Sequence, residues 1–450
     1  MDVPKNSQVV TPDNRRFPPR VCVDGFNIAL PKGSGVATYG RNLIAALSTT
    51  GRSVSVLYGP ASAYQADPVA DTAAIADLPP PRSRINKRER WRRTLLSRFG
   101  RVADPVLLSD QIVWSFENQG RPPVDIGWTA RDLYTISNRA FQKYGTVTPI
   151  SFRQGDHLQP DVVHWTCPLP LYAKKAANLL TVHDLIPLRL PHTTTDDTST
   201  YFRLVRTAID RADHVIVVSE RTKQDLVEMM GVDERRITNT YQAVSLPPEL
   251  AERSDSDVCL DVEETLGLGW QEYFLYFGAV EPKKNLGRLI EAHLASQVSA
   301  PLVIVGGRGW LDEDENAFLD QIAALPDLRS DRVRRYPYMP FRLLISLIRG
   351  ARGVVFPSLY EGFGLPVLEA MLLGAPVITS TAGSLPEVAG DAALSIDPYD
   401  VDAIRKAIRL IDSDSGLRKD LRLRGRMQAN KFNPEAYALA VAGAYRKLGF

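Results

Sequence analysis

An α/β fold in two domains is the architecture this sequence predicts, and three observations predict it. Short apolar runs of strand length alternate with amphipathic helical stretches through both halves of the chain. Two strand–helix joints, one in each half, carry paired glycines: Gly33 with Gly35, and Gly362 with Gly364. The length, 450 residues, exceeds what one ordinary hydrophobic core supports. The expectation is two Rossmann-like sheets, over residues 21–250 and 258–434.

Residues 1–20 are polar and proline-bearing, with no apolar stretch of a secretory signal, and read as a disordered lead-in. Strands follow at 21–26 (VCVDGF) and 53–58, with a glycine loop at 27–40 between them and a helix through Leu43, Ile44 and Leu47. Residues 80–159 carry little pattern beyond a basic stretch and are expected to form an insertion. Order returns with strands at 161–165, 178–183, 214–219 and near Ile237, and with helices at 203–212 and 220–230. The polar, proline-rich 245–257 marks a linker. In the second half, strands are expected at 273–278, 301–307, 333–338, 353–356 and 376–380, with helices at 287–295, 341–349, 401–423 and 435–448.

Composition excludes several classes. The balance of 54 Lys plus Arg against 52 Asp plus Glu gives no argument for nucleic acid as a partner. Cys22, Cys167 and Cys259 are far apart and form no CxxC pair, which excludes a disulfide framework and a cysteine-rich zinc site and fits a reducing cytosol. No apolar run is long enough to span a membrane as a helix. The stretch 82–101, in contrast, mixes arginines and lysines with Trp91, Leu95, Leu96 and Phe99 at near-helical spacing. It suits either a solvated helix or an anionic membrane surface.

The chemistry concentrates in 356–369, FPSLYEGFGLPVLE. A buried strand ends, a turn with Gly362 and Gly364 follows, and Pro366 opens a helix, where its missing N–H costs nothing. Free amides and the positive end of a helix dipole then point at one spot, a ready anion site. Glu361 and Glu369 flank it and can accept hydrogen bonds from hydroxyls. Phosphate beside a sugar suits this pairing; an ordinary turn with surface glutamates is the blander alternative. Gly33 and Gly35 permit a second close approach to a diphosphate, or a plain flexible connection. Asp24 ends a strand as a carboxylate for an acceptor or as a structural cap. His183 stands at a strand end, where ligands bind in open α/β sheets. Lys284 and Lys283 stand at the mouth of another strand as point charges suited to phosphate.

The run FPS-x2-E-x7-E-AM, with G-x-x-E-P-x-K-N at 278–285 and T-V-H-D at 181–184, resembles the retaining glycosyltransferases of family 4, most closely the bacterial polysaccharide and O-antigen mannosyltransferases. The likeness is dense over 273–400 and patchy before it. It implies the GT-B fold: an acceptor-binding first domain, a nucleotide-sugar-binding second domain, a cleft between them, and a last helix at 435–450 crossing back to the first. It implies that Glu361 contacts the transferred sugar, that Glu369 holds the ribose, and that the amides of Gly362, Phe363, Gly364 and Leu365 serve the sugar and distal phosphate. It makes Lys284 the phosphate lysine and His183 a group against the donor sugar, with His164 a less close match. It puts Gly33, Gly35 and Arg308 near the diphosphate and the backbone at Tyr338 and Met339 against the base. The chain departs from the pattern at Ala279, where many members carry arginine; Lys283 or Arg308 are the candidate substitutes. The implied reaction is hexose transfer from a nucleotide-sugar, with GDP-mannose favoured, to a glycan or lipid-linked oligosaccharide in polysaccharide synthesis. No cofactor is implied, and no D-x-D metal motif stands at a suitable strand end, so no metal is expected. The implied location is cytoplasmic, peripheral on the inner face of the membrane. A nucleotide-sugar 2-epimerase, a nucleotide-sugar hydrolase or phosphorylase, and a non-catalytic relative are the alternatives.

Overall fold

The computed structural model describes residues 18–28, 35–59, 86–107, 124, 126–153, 158–307 and 332–450. A first sheet is built from β1 (Arg20–Asp24), β2 (Ser53–Tyr58), β3 (Arg101–Leu107), β4 (Ile126–Thr129), β5 (Thr148–Phe152), β6 (Val162–Trp165), β7 (Leu171–Ala173), β8 (Ala177–Val182), β9 (His214–Val217) and β10 (Ile237–Asn239). Their spatial order is β10-β9-β8-β6-β1-β2-β4-β3-β5-β7. All neighbours from β10 to β4 run parallel, and β3 turns antiparallel to β4. A second sheet, parallel throughout, has the order β13-β12-β11-β14-β15-β16. It uses β11 (Phe274–Phe277), β12 (Leu302–Val305), β13 (Val333–Tyr336), β14 (Gly353–Phe356), β15 (Val377–Ser380) and β16 (Leu394–Ile396). Central strands such as FLYF and LVIV are buried at every position, because helices cover both faces of a parallel sheet.

Three expectations change. The supposed insertion at 80–159 supplies β3, β4 and β5, with Trp128 fully buried, so these three strands of it extend the first sheet. The supposed linker at 245–257 contains a short helix, Pro248–Ala251, and the start of a longer one, Asp255–Leu266. Its polar run is a helix start: the Ser254 hydroxyl accepts from the Asp257 N–H at 3.1 Å, and Val258 and Val262 are buried. The first helix begins at Gly35, not after Gly40, so Gly35 is helical. Gly40 is needed inside that helix because a Cβ there would sit 2.9 Å from Ile28.

The last helix, Pro434–Arg446, packs on Gly35–Thr49 of the first sheet's layer. Tyr445 hydroxyl meets His164 Nδ1 at 2.8 Å, His164 Nε2 meets Thr181 at 2.8 Å, and Thr181 meets Tyr39 at 2.7 Å. This chain of hydrogen bonds is buried, so each polar atom depends on its neighbour. The two strands of chain that pass between the sheets touch where the Val244 N–H donates to the Phe432 carbonyl at 2.9 Å.

Candidate active site

Each sheet has a point where the chain leaves in opposite directions from adjacent strands. In the first it lies beside β1, flanked by β2 and β6; in the second beside β11, flanked by β12 and β14. Loops diverge there at the carboxyl ends and leave a crevice for ligand. The 356–369 stretch leaves β14 and the EPKKN stretch leaves β11, so both segments meet at the second crevice. Across from them stands the segment after β8. Gly362 lies so close to it that a Cβ would collide with the His183 carbonyl and come within 2.8 Å of the Asp184 Cβ. Glycine is required by this approach of one domain to the other.

Lys284 and Glu361, 77 residues apart, meet with Nζ 2.6 Å from Oε1. Ser358 donates to the same oxygen at 2.8 Å. The two side chains are only 16% and 14% exposed. Burial alone would raise the Glu361 carboxyl; the ammonium groups of Lys284 and Lys283, with the two hydrogen bonds, outweigh it and hold the carboxyl below its ordinary value. Lys283 lies 3.3 Å from Glu281. Its burial opposes charge, yet the carboxylates of Glu361, Asp184 and Glu281 keep its pKa raised. Asn285 fixes the lysine turn. It adopts the left-handed conformation (φ 61°) that asparagine tolerates, and its amide donates to the carbonyls of Pro357 at 3.0 Å and Pro398 at 2.6 Å. Sequence reasoning passed over Ser358 and Asn285, although FPS and KN lie inside the quoted motifs.

The backbone of 361–363 is gripped from behind. Ser384 N–H donates to the Glu361 carbonyl at 3.1 Å, and its hydroxyl donates to the Phe363 carbonyl at 2.7 Å. Gly383 comes so near Glu361 that a Cβ would lie 2.6 Å from its carbonyl oxygen. The N–H groups of Gly362, Phe363, Gly364 and Leu365 have no hydrogen-bond partner among the described residues. Gly364 (φ 108°) precedes the Leu365–Leu372 helix, which has no side-chain cap, with Pro366 in its first turn. Bare amides, a helix N-terminus and two lysines are the features that favour an anion. The Glu369 carboxyl, on the same helix, has no hydrogen-bond partner among the described residues, and burial pushes it up to about 7.

His183 Nε2 lies 2.9 Å from the Thr166 carbonyl, and its ring stands edge-on to Tyr39 at 4.8 Å. A carbonyl only accepts, so Nε2 carries the hydrogen and Nδ1 keeps its lone pair. Burial lowers its pKa, so the ring is neutral at pH 7. Tyr338 and Met339 follow β13 at the same carboxyl rim, Tyr338 79% exposed and Met339 buried. Gly33 and Arg308 lie outside the described residues, as does 79–85 of the basic stretch.

Two candidates take structural roles. Asp24 is fully buried and accepts from the Thr166 and Phe26 N–H groups, so it caps the end of β1. Burial raises its carboxyl to about 6. His164 is fully buried between Thr181 and Tyr445, with its pKa lowered to about 3, and faces no crevice. Among the described residues no cluster of ligating side chains could hold a metal ion.

Comparison with known proteins agrees with the geometry. Residues 266–428 match the family described as glycosyl transferases group 1, and residues 113–246 match glycosyltransferase family 4. Over 273 residues the chain is 34% identical to O-antigen chain mannosyltransferase B of Escherichia coli, covering 60% of this chain and 70% of that one. Over 234 residues it is 31% identical to O-antigen chain mannosyltransferase RfbU of Salmonella typhimurium, covering 52% of this chain and 60% of that one. Among solved structures, sucrose-phosphate synthase from Thermosynechococcus elongatus has a TM-score of 0.65 over 96% of this chain and 99% of its own, at 20% identity. That last likeness is one of fold.

Proposed function

This chain belongs to the family 4, group 1 glycosyltransferases and has their GT-B fold, and from that premise we propose that it moves a mannosyl group from GDP-mannose to a hydroxyl of a lipid-linked glycan, with retention of anomeric configuration. The observation that carries the reading is the Lys284–Glu361 pair beside four bare amides, with His183 facing it across the crevice. The mannose assignment leans on the named activity of the two enterobacterial relatives.

The C1–O bond to the diphosphate breaks and the leaving group takes the electron pair. Its growing negative charge needs donors, and Lys284 with the amides of 362–365 stands where they are wanted. Lys283 supplies the second cation where Ala279 replaces the arginine common in the family. The acceptor oxygen forms the new bond to C1 on the face that the phosphate leaves, and its proton passes to the departing phosphate oxygen. Glu361 and His183 Nδ1 accept hydrogen bonds from sugar hydroxyls, and Glu369 accepts from the ribose. In this role the glutamates are binders, not a glycosidase acid and nucleophile. No metal is required in this scheme, because lysines and amides take its charge-stabilising part.

The acceptor's lipid is met by the Lys87–Leu96 helix and the turn Ser97–Phe99 after it. Trp91 is 52% exposed and Phe99 64% exposed, and Arg88, Arg92 and Arg98 of the same two elements are exposed as well. Exposed aromatics set among arginines suit an anionic bilayer on the cytoplasmic side. No helix among the described residues is long and apolar enough to cross a membrane.

Calorimetric titration with GDP, UDP, ADP and dTDP tests the donor site, with GDP expected to bind tightest. Proton NMR of the product is expected to show the α-anomer from the α-linked donor, and turnover is expected to survive EDTA. A β-linked product, or no affinity for any nucleoside diphosphate, overturns the scheme. Flotation with phosphatidylglycerol vesicles is expected to carry the wild type, and Trp91→Ala with Phe99→Ala is expected to stay behind.

A further inference from the structure

The two domains are joined by polar contacts that the reaction scheme does not use. Tyr360, the residue before Glu361, donates its hydroxyl to Asp225 Oδ2 of the first domain. Asp225 is fully buried, and its other oxygen is held by Arg189 Nη2 at 2.6 Å and Arg221 Nη2 at 2.5 Å. Both arginines also lie near Glu228, at 2.9 Å and 3.7 Å, and all four residues belong to the first domain, so that domain alone presents Asp225 fixed and charge-balanced, with one oxygen toward the partner domain.

A second contact lies beside it. The Glu220–Met230 helix is capped by its own Ser219, which accepts from the Thr222 N–H at 3.1 Å. That leaves the N–H groups of Glu220 and Arg221 without intrahelical partners. Glu387 of the second domain fills both places, accepting at 2.9 Å and 3.0 Å with its two carboxylate oxygens. One domain thereby completes the cap of the other's helix, with a carboxylate at the positive end of the dipole.

We propose that Tyr360 and Glu387 form a clasp that makes domain closure and the placement of Glu361 a single event. Each clasp residue is tied to the site loop. Tyr360 adjoins Glu361 in the chain, and Glu387 stands one helical turn beyond Ser384, whose N–H and hydroxyl hold the carbonyls of Glu361 and Phe363. Phe363 itself lies against Tyr241 of the first domain, ring centroids 6.3 Å apart. When the domains part, the loop that carries Glu361 loses its external supports together. Tyr360 and Glu387 are therefore positioning residues. The inference rests on the proposed transfer reaction for its turnover readout, but not for its structural one.

The test compares wild type, Tyr360→Phe, Glu387→Ala and the double variant. Small-angle scattering without nucleotide reads closure, calorimetry with GDP reads the donor site, and kcat with GDP-mannose reads transfer. Wild type is expected to fit the closed arrangement and the double variant to show a larger radius of gyration. kcat is expected to fall at least about tenfold in each single variant, with GDP affinity within about twofold and melting curves that still show two folded domains. Wild-type scattering and turnover in both single variants overturn the clasp, and so does a loss of GDP binding in step with turnover, which marks a mere folding defect. If wild type shows no transfer from GDP-mannose, the donor reading has failed, while the scattering comparison still decides the clasp.

Discussion

Replacing Lys284 with methionine keeps the length of the side chain and removes its charge. In the resting protein this strands Glu361, whose carboxylate is 2.6 Å from the lost ammonium and almost shut off from water. Breaking a buried pair from one side costs about 3–5 kcal/mol. The lower end applies, because Ser358 and Lys283 still support the charge. The sign with pH follows from the depressed Glu361 carboxyl. The pair's contribution is complete above the unfolded value of 4.5 and is lost as pH falls through the lower folded value. Urea unfolding should therefore separate variant and wild type by about 3 kcal/mol at pH 7, and the gap should begin to narrow only below pH 4.5. In turnover, the lysine faces a charge that grows as the diphosphate leaves, so the loss falls on kcat. Removing one such donor costs about 10²–10³-fold, or roughly 2.7–4 kcal/mol. Initial rates at saturating donor measure it. A Lys284→Met enzyme within threefold of wild-type kcat, with unchanged unfolding at pH 7, would refute the role of this pair.

Glu369→Gln is expected to stabilise the resting protein. A carboxyl raised from 4.5 to about 7 carries a penalty that sets in above pH 4.5 and is complete above pH 7. It amounts to about 3 kcal/mol. Denaturation at pH 8 should show the gain and at pH 4 none, while GDP binds more weakly. Tyr445→Phe leaves His164 Nδ1 buried without a partner. It should cost about 1–3 kcal/mol in thermal or urea unfolding. Gly362→Ala pushes a methyl into the His183 carbonyl. Transfer should fall far more than GDP affinity, as rates and calorimetry on the same preparation will show.

The fold was most legible where strands are buried on both faces. FLYF and LVIV read as unbroken apolar runs and VVHW as one broken only by His164, and each is a strand within a residue or two of its expected place. It was least legible at the far edge of the first sheet. There β3 carries Asp104 and Pro105, and β7 is only Leu171–Ala173. The supposed linker shows a different failure, since serine and aspartate signal a helix start as readily as a loop. In the site, local motifs pointed to Lys284, Glu361 and the glycine turn. The two strand-end histidines looked alike, yet one has a free ring nitrogen and the other is locked by a tyrosine 281 residues later in the chain. Tyr360 and Asp225, 135 residues apart, and Glu387 at the Glu220 amide, 167 residues on, left no local signal, because their meaning arises only between domains.

The returning helix Pro434–Arg446 imposes an order on biosynthesis. A ribosome releases the first sheet early, but the tyrosine that satisfies His164 emerges 281 residues after it, on the helix that covers Gly35–Thr49. Until then the nascent first domain lacks that cover, for an interval set by a chain growing at roughly 5–20 residues per second.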